Sequence, residues 1–312
     1  RRTVLCGQGE ADFSGAMMTG SLQHGRSVGR AGTVLLTCGL AAAMLTTGSA
    51  AARPSASVAG LLSTSDSSPP TQAPPSGDVV LAASTRKRTL PEVIGARPRV
   101  RQMITVSSRS FGSTTGSLKA WRRAPRGEWV LARGPVQVVL GYNGWVKAMQ
   151  RLQGTGTTPA GRFRLPYAFG NSPDPGARLG YRHVDAGDWW PYEPRDPATY
   201  NVFQQRKAAQ TRWRGDYAEH LTSYGSQYAY ALVVDFNLPS GVHYSQQRHQ
   251  RVATKRADTA RGGGIFLHVR GDGLTAGCVA TNRRDMRWLV RWVRPGARPR
   301  LVMGPHDYIV TL

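Results

Sequence analysis

A mainly β protein with a few short helices is the fold class this sequence predicts, and three observations predict it. Gly (36) and Pro (20) are frequent enough in 312 residues to set many reversals. Between them lie short Val- and Thr-rich runs, several alternating at the two-residue period of a strand. A helical stripe is clear in one short segment near the C-terminus, residues 282–293.

The elements follow in order. Arg26 and Arg30 precede the apolar run Thr33 to Leu45, and small residues follow around Ala50 to Ala52. That is the order of a secretory signal, so residues 1–52 are expected as a cleaved leader, with Met17 or Met18 a more natural start than Arg1. The apolar run is short for a bilayer, so no stable transmembrane helix is expected after cleavage. Residues 53–98 are rich in Ser, Pro and Ala and read as a flexible tether. A single domain then spans 99–312. "QMITVSS" alternates as a strand, "WVLARGPVQVVLGYNGW" reads as two strands around Gly134-Pro135, and "RFRLPYAFG" and "YAYALVVDFN" are further strands. "GIFLHV" places Ile265, Leu267 and Val269 on one face, with Phe266 and His268 on the other. "RGDGLTAG" is a glycine-rich reversal, its Arg-Gly-Asp an ordinary turn. Asn282 caps a helix with Asp285 three residues on, Met286, Leu289, Val290 and Val293 form its apolar stripe, and Pro295-Gly296 end it. "PRLVMG" and "YIVTL" read as closing strands.

The formal net charge of +23 comes almost wholly from Arg, since Lys occurs only at positions 87, 119, 147, 207 and 255. No zinc-finger spacing, RNA-binding signature or aromatic-interleaved basic helix accompanies it, which argues against a specific nucleic-acid function. A general affinity for anionic polymers of a cell envelope fits the charge better.

Cys6 and Cys38 leave with the leader, so Cys278 is expected to be the lone thiol of an exported chain. Taken alone it is an inert buried side chain or a nucleophile. Gly277 before it permits a close backbone approach, and His268 lies ten residues upstream across a turn. An imidazole beside a thiol takes its proton and makes it a nucleophile, and backbone N–H groups near Gly277 and Cys278 would hold an oxyanion.

"IFLHV…TAGCVA", with its helix and "PRLVMG", resembles the catalytic core of the L,D-transpeptidases, the YkuD-like family. Thr157, Thr158, Pro159, Gly161 and Phe163 match that family's Thr-Pro-x-Gly-x-Phe segment, while "DWWPYEP…TYN" and "EHLTSYGSQYAYALVVDFN" are similar to an exported, actinobacterial-type branch. The resemblance covers roughly residues 100–305. It implies a β-sandwich-like catalytic fold, a Cys278 nucleophile, a His268 base and peptidoglycan stem peptides as substrate. No metal or cofactor is implied, and the family implies acylation by carbapenems. Where many members read Ser-His-Gly-Cys, this chain reads Thr275-Ala276-Gly277-Cys278. It also carries Ala280 where they carry Asn or Arg, and has a shorter His-to-Cys gap. Thr275, Ala276 and Gly277 are assigned to the oxyanion and substrate side.

Further residues stay open between site and scaffold. His220 beside Glu219 is a second imidazole or a surface helix residue. Trp190, with Trp189 and Tyr192, lines a groove or packs the core, and Tyr200, Asn201 and Tyr230 are candidates of the same kind. His243 and His249 fall in a polar loop or flap. His183 and Asp185 lack a second metal-ligand pair at zinc-site spacing. Thr158, Pro159 and Gly161 read as a turn. Rival functions are a carboxypeptidase or amidase of the same fold, and a non-catalytic basic wall-binding domain.

Overall fold

The computed structural model describes residues 86–205 and 213–312. The leader expected over 1–52, and the tether as far as residue 85, lie outside the described residues. The expected tether boundary at 98 is corrected. A short helix, α1 (Leu90–Val93), forms inside that stretch, and Glu92 Oε2 accepts the Thr89 N–H at 2.7 Å. Ile94 behind it is only 3% exposed and joins a cluster with Val100, Met103 and Trp121. Ile94, with Leu90 and Ala96 packed beside it, docks the segment.

β1 (Gln102–Ser108), β2 (Thr115–Arg123) and β3 (Trp129–Val139) form an antiparallel meander. The two strands expected around Gly134-Pro135 are one. β3 runs through that pair, and register shifts against β2 near Leu118 and Ala120 absorb the irregularity as a bulge does. β4 (Trp145–Lys147) pairs in parallel with β5 (Thr158–Arg164), so the Thr-Pro-Ala-Gly stretch is strand rather than turn. β6 (Ala168–Gly170) pairs in parallel with β7 (Tyr181–His183).

Residues 171–261 carry two small ribbons. β8 (Trp189–Pro191) pairs with β9 (Ala218–His220). After β10 (Ala231–Val233) returns to the main sheet, β11 (Ser240–Ser245) pairs with β12 (Gln250–Lys255). His220 therefore ends a strand, not a helix, and His243 and His249 belong to an exposed hairpin instead of a loop.

β13 (Phe266–Val269), β14 (Val279–Thr281), α2 (Arg283–Trp292), β15 (Arg300–Pro305) and α3 (His306–Ile309) complete the chain. Asn282 caps α2 by accepting the Asp285 N–H at 2.9 Å. The four apolar residues of its stripe are buried in the main core, each burial being worth about 1.5–3 kcal/mol. The expected closing strand "YIVTL" is instead α3 and a turn, because the chain leaves β15 at Pro305 and buries Ile309 from one helical turn.

Eleven strands make one mixed sheet in the order β4-β5-β15-β1-β2-β3-β14-β13-β10-β6-β7. The sheet curls until β5 and the segment after β10 meet. Phe163 on β5 meets Phe236, just past β10, edge to face at 6.3 Å, and the Asp235 N–H donates to Arg164 O at 3.1 Å. The sandwich-like main core lies inside that curl and holds Ile104, Leu118, Leu267, Val279 and Met303. A second, aromatic core of Phe169, Trp190, Tyr228 and Phe266 lies on the outer face of β10 and β13, beneath the inserted ribbons.

Candidate active site

β13 and β14 run in parallel, with Leu267 opposite Val279 and His268 opposite Ala280. Strand alternation sends Leu267 and Val269 into the main core and Phe266 into the aromatic one, so His268 shares the aromatic face. Cys278, one residue before Val279, also joins the aromatic core. The two residues of the expected pair are thus diagonal neighbours on one sheet face.

The reversal between them is pinned at several points. The Thr275 N–H donates to Leu140 O at 2.9 Å, and the Tyr142 N–H to Thr275 O at 2.8 Å. Thr275 Oγ1 donates to Cys278 O at 2.7 Å and accepts the Gly277 N–H at 3.1 Å. That last bond corrects an expectation, because the Gly277 N–H is already engaged and is not offered to an oxyanion. Thr275 and Ala276 are both buried, and through these bonds Thr275 locks the turn.

His268 Nδ1 donates to Val269 O at 2.8 Å. In the neutral imidazole this places the proton on Nδ1 and the lone pair on Nε2, the arrangement a general base requires. Nε2 is buried and has no hydrogen-bond partner among the described residues. Cys278 Sγ donates to Gly264 O at 3.2 Å and accepts the Phe266 N–H at 3.4 Å. The thiol is therefore turned to Gly264 rather than to the imidazole. Both residues are 1% exposed.

Arg151 was missed by the sequence reading, and it places a buried cation against the cysteine turn. Its side chain is 0% exposed. Nε donates to Thr157 O at 2.9 Å, Nη1 to Arg261 O at 2.8 Å and Nη2 to Ala276 O at 3.4 Å. It has no carboxylate partner among the described residues. Burial pulls the guanidinium down to about 10, and attraction to Cys278, Tyr200 and Tyr142 opposes that pull. The cation ties the Thr-Pro-x-Gly segment, the 261–264 approach and the cysteine turn into one unit. In a chain so rich in arginine, nothing in "AMQRLQGTG" set this one apart.

The YkuD family model, the L,D-transpeptidase catalytic domain, matches residues 115–302. The chain belongs to this family. No curated protein and no solved structure matches it.

Within the L,D-transpeptidase domain the other candidates separate. Asn201 is a buried hub. Its Oδ1 accepts Trp190 Nε1 at 2.8 Å and the Gly264 N–H at 2.9 Å, and its Nδ2 donates to Asn237 O at 2.7 Å. Through Gly264 it steadies the carbonyl that holds the thiol. Tyr200 donates to Gln153 Oε1 beside it, and burial raises its hydroxyl above the usual range. Trp190 is fully buried and packs on Phe266 at 4.8 Å, so it is core and not groove. Tyr230 lies in the main core, on the far side of the sheet from Cys278. His220 stacks on Trp189 at 4.6 Å and bonds Ser223 and Ala186 O, which makes it a clamp of the β8–β9 ribbon rather than a second imidazole of the site. Tyr228 was not singled out from the sequence. Its ring stands edge-on to His268 at 5.4 Å, and its hydroxyl donates to buried Glu219 at 2.8 Å.

Proposed function

We propose that this L,D-transpeptidase-family chain is an exported cell-wall acyltransferase that works on peptidoglycan stem peptides through a Cys278 thioester. The observation that carries the reading is the imidazole of His268, with Nδ1 pinned by Val269 O and Nε2 left as a lone pair, on the same sheet face as the thiol. Nε2 takes the Sγ proton, and the thiolate adds to the carbonyl of an L,D bond. The imidazolium returns that proton to the departing D-alanine amine, leaving the acyl group on sulfur. An acceptor amine then attacks the thioester and the thiol is restored. Arg151 supplies positive charge next to the sulfur throughout.

The test is incubation of the protein with defined muropeptides, followed by product masses. Loss of D-alanine together with a cross-linked dimer is the expected result for wild type, with none from Cys278→Ser and at least about a hundredfold less from His268→Ala. Loss of D-alanine without dimer would make water the acceptor and the protein a carboxypeptidase. A carbapenem should add one drug mass to the wild type and none to Cys278→Ser. The burial of both Cys278 and His268 favours one competing reading, a wall-binding domain with a structural cysteine. A chain unchanged by both muropeptide and drug would establish that reading instead.

A further inference from the structure

The outer face of α2 looks away from the chemistry, since its stripe enters the main core while Cys278 faces the aromatic one. Along this outer face runs an open groove of about 1240 Å³. Ten arginines line it, and no Lys, Asp or Glu does. Arg283, Arg284, Arg287 and Arg291 come from α2, and Arg294 lies just past it. Arg122 on β2 and Arg133 on β3 form the facing wall. Gln102 fixes the distance between the walls, donating to Trp292 O at 2.7 Å and accepting the Arg294 N–H at 3.0 Å.

Among the described residues only Arg133 of these ten has a carboxylate partner, Asp285. Arg283, Arg287 and Arg291 repeat at four-residue spacing, so like charges stack along one helix face and repel one another. That repulsion is relieved when anions bridge them. Guanidinium forks match the paired oxygens of phosphate better than an ammonium does, and the lining holds guanidinium alone. Ten guanidinium groups around one half-open groove suit a chain of phosphates better than a single small ion.

We infer that this groove binds a linear phosphodiester polymer, a polyol-phosphate chain of the teichoic-acid type, and so anchors the domain on the wall beside its substrate. Nucleic acid fits less well. Trp288 is already engaged by the Arg133 guanidinium at 5.1 Å and stacked with Trp292 at 5.1 Å, so it offers bases no open platform. The envelope source of the polymer rests on the exported reading above; the phosphate chemistry does not.

The experiment is calorimetric binding by the full chain over a salt series. Its probes are poly(glycerol phosphate), polyglutamate and single-stranded oligodeoxynucleotide of matched charge. The triple variant Arg284→Gln/Arg287→Gln/Arg291→Gln is compared with Arg109→Gln/Lys255→Gln/Arg256→Gln, which removes equal charge from exposed residues elsewhere. Poly(glycerol phosphate) should bind tightest. The groove variant should lose at least about tenfold in affinity at about 0.1 M salt, and its logarithmic salt slope should fall by about 2. Replacing the same three arginines by lysine should give a smaller loss at an unchanged salt slope. Equal losses in both glutamine triples would overturn the groove, and tighter oligonucleotide binding would overturn the choice of polymer. Cys278→Ala should bind as wild type does, so failure of the acyl-transfer reading would leave this result legible, and the reverse.

Discussion

At the scale of single residues, the site is organised by what cannot stand beside Cys278. Gly277 adopts φ +140°, and a Cβ there would meet Thr157 O at 2.8 Å and Arg151 Nη2 at 2.9 Å. The glycine therefore allows a buried cation to lie against the cysteine turn. Arg151 spends its donors on three carbonyls, so its charge is compensated by dipoles rather than by an acid. Arg151→Gln would strip donors from buried carbonyls, at about 1–3 kcal/mol for each acceptor left unsatisfied. It would also remove the positive charge that favours a thiolate. The pH profile of Cys278 alkylation should move to higher pH in Arg151→Gln and stay close to wild type in Arg151→Lys, which keeps the charge but loses the fork. Coincident profiles for all three proteins would reduce Arg151 to a structural tie. His268, Cys278 and Gly277 were legible in the sequence because a His, a Gly-Cys pair and a turn between strands are local signals. Arg151 was not, because its role comes from contacts with residues 157, 261 and 276 that only the folded chain brings together.

Among the elements, legibility followed how far local chemistry decides the outcome. The start of α2 was read to the residue, since Asn282, Asp285 and a four-residue apolar stripe all specify the same helix, and its end falls at Trp292, two residues short of Pro295. The strand faces of β13 were read for the same reason. α3 was misread because Tyr308, Ile309 and Val310 have strand propensity, and docking of Ile309 overrode it. The β8–β9 ribbon was missed because its three-residue strands leave almost no period to count, and the β11–β12 ribbon because its six-residue strands are polar and carry no apolar alternation. These ribbons also carry a testable pH dependence. Burial raises the Asp188 carboxyl above its usual range, and the N–H of Asp185 that it accepts at 2.9 Å only partly offsets this. An acid raised in the folded state holds its proton more tightly there than when unfolded. Its contribution to stability is thus full below the unfolded value of about 3.9 and is lost as pH rises through the folded one. Asp188→Asn keeps the acceptor and removes the ionisation. Its urea midpoint should exceed wild type at pH 7 and converge with it near pH 3. A variant less stable than wild type at pH 7 would show that the ionised carboxylate is favourable where it sits.

For the whole molecule, the curled sheet puts a rigid main core on one side of β13 and the aromatic core with its ribbons on the other. Cys278 lies between the sheet and that cover. With Cys278 and His268 both 1% exposed, the proposed acyl transfer would require the cover to lift while the main core stays folded. Asn201 is where the two sides are joined, bonding Trp190 and Asn237 in the inserted region and Gly264 on the approach to β13. Opening there would release Gly264, whose carbonyl holds the thiol, and let Sγ turn toward Nε2. Native-state hydrogen exchange separates a lifting cover from a permanent one. The Gly264 amide bonds Asn201 Oδ1 and the Phe266 amide bonds Cys278 Sγ, so both report on the closed state. If the cover lifts, these amides exchange through an opening that costs less free energy than the one exposing Val106 or Met303 and that depends more weakly on denaturant. Asn201→Ala should then speed both their exchange and Cys278 alkylation, by about fivefold or more for the roughly 1 kcal/mol a buried hydrogen bond contributes. If Gly264 and Phe266 instead exchange only together with the main core, at the same free energy and the same denaturant dependence, the thiol is reached only by unfolding. The cysteine would then be structural, and the acyl-transfer reading would fall with it.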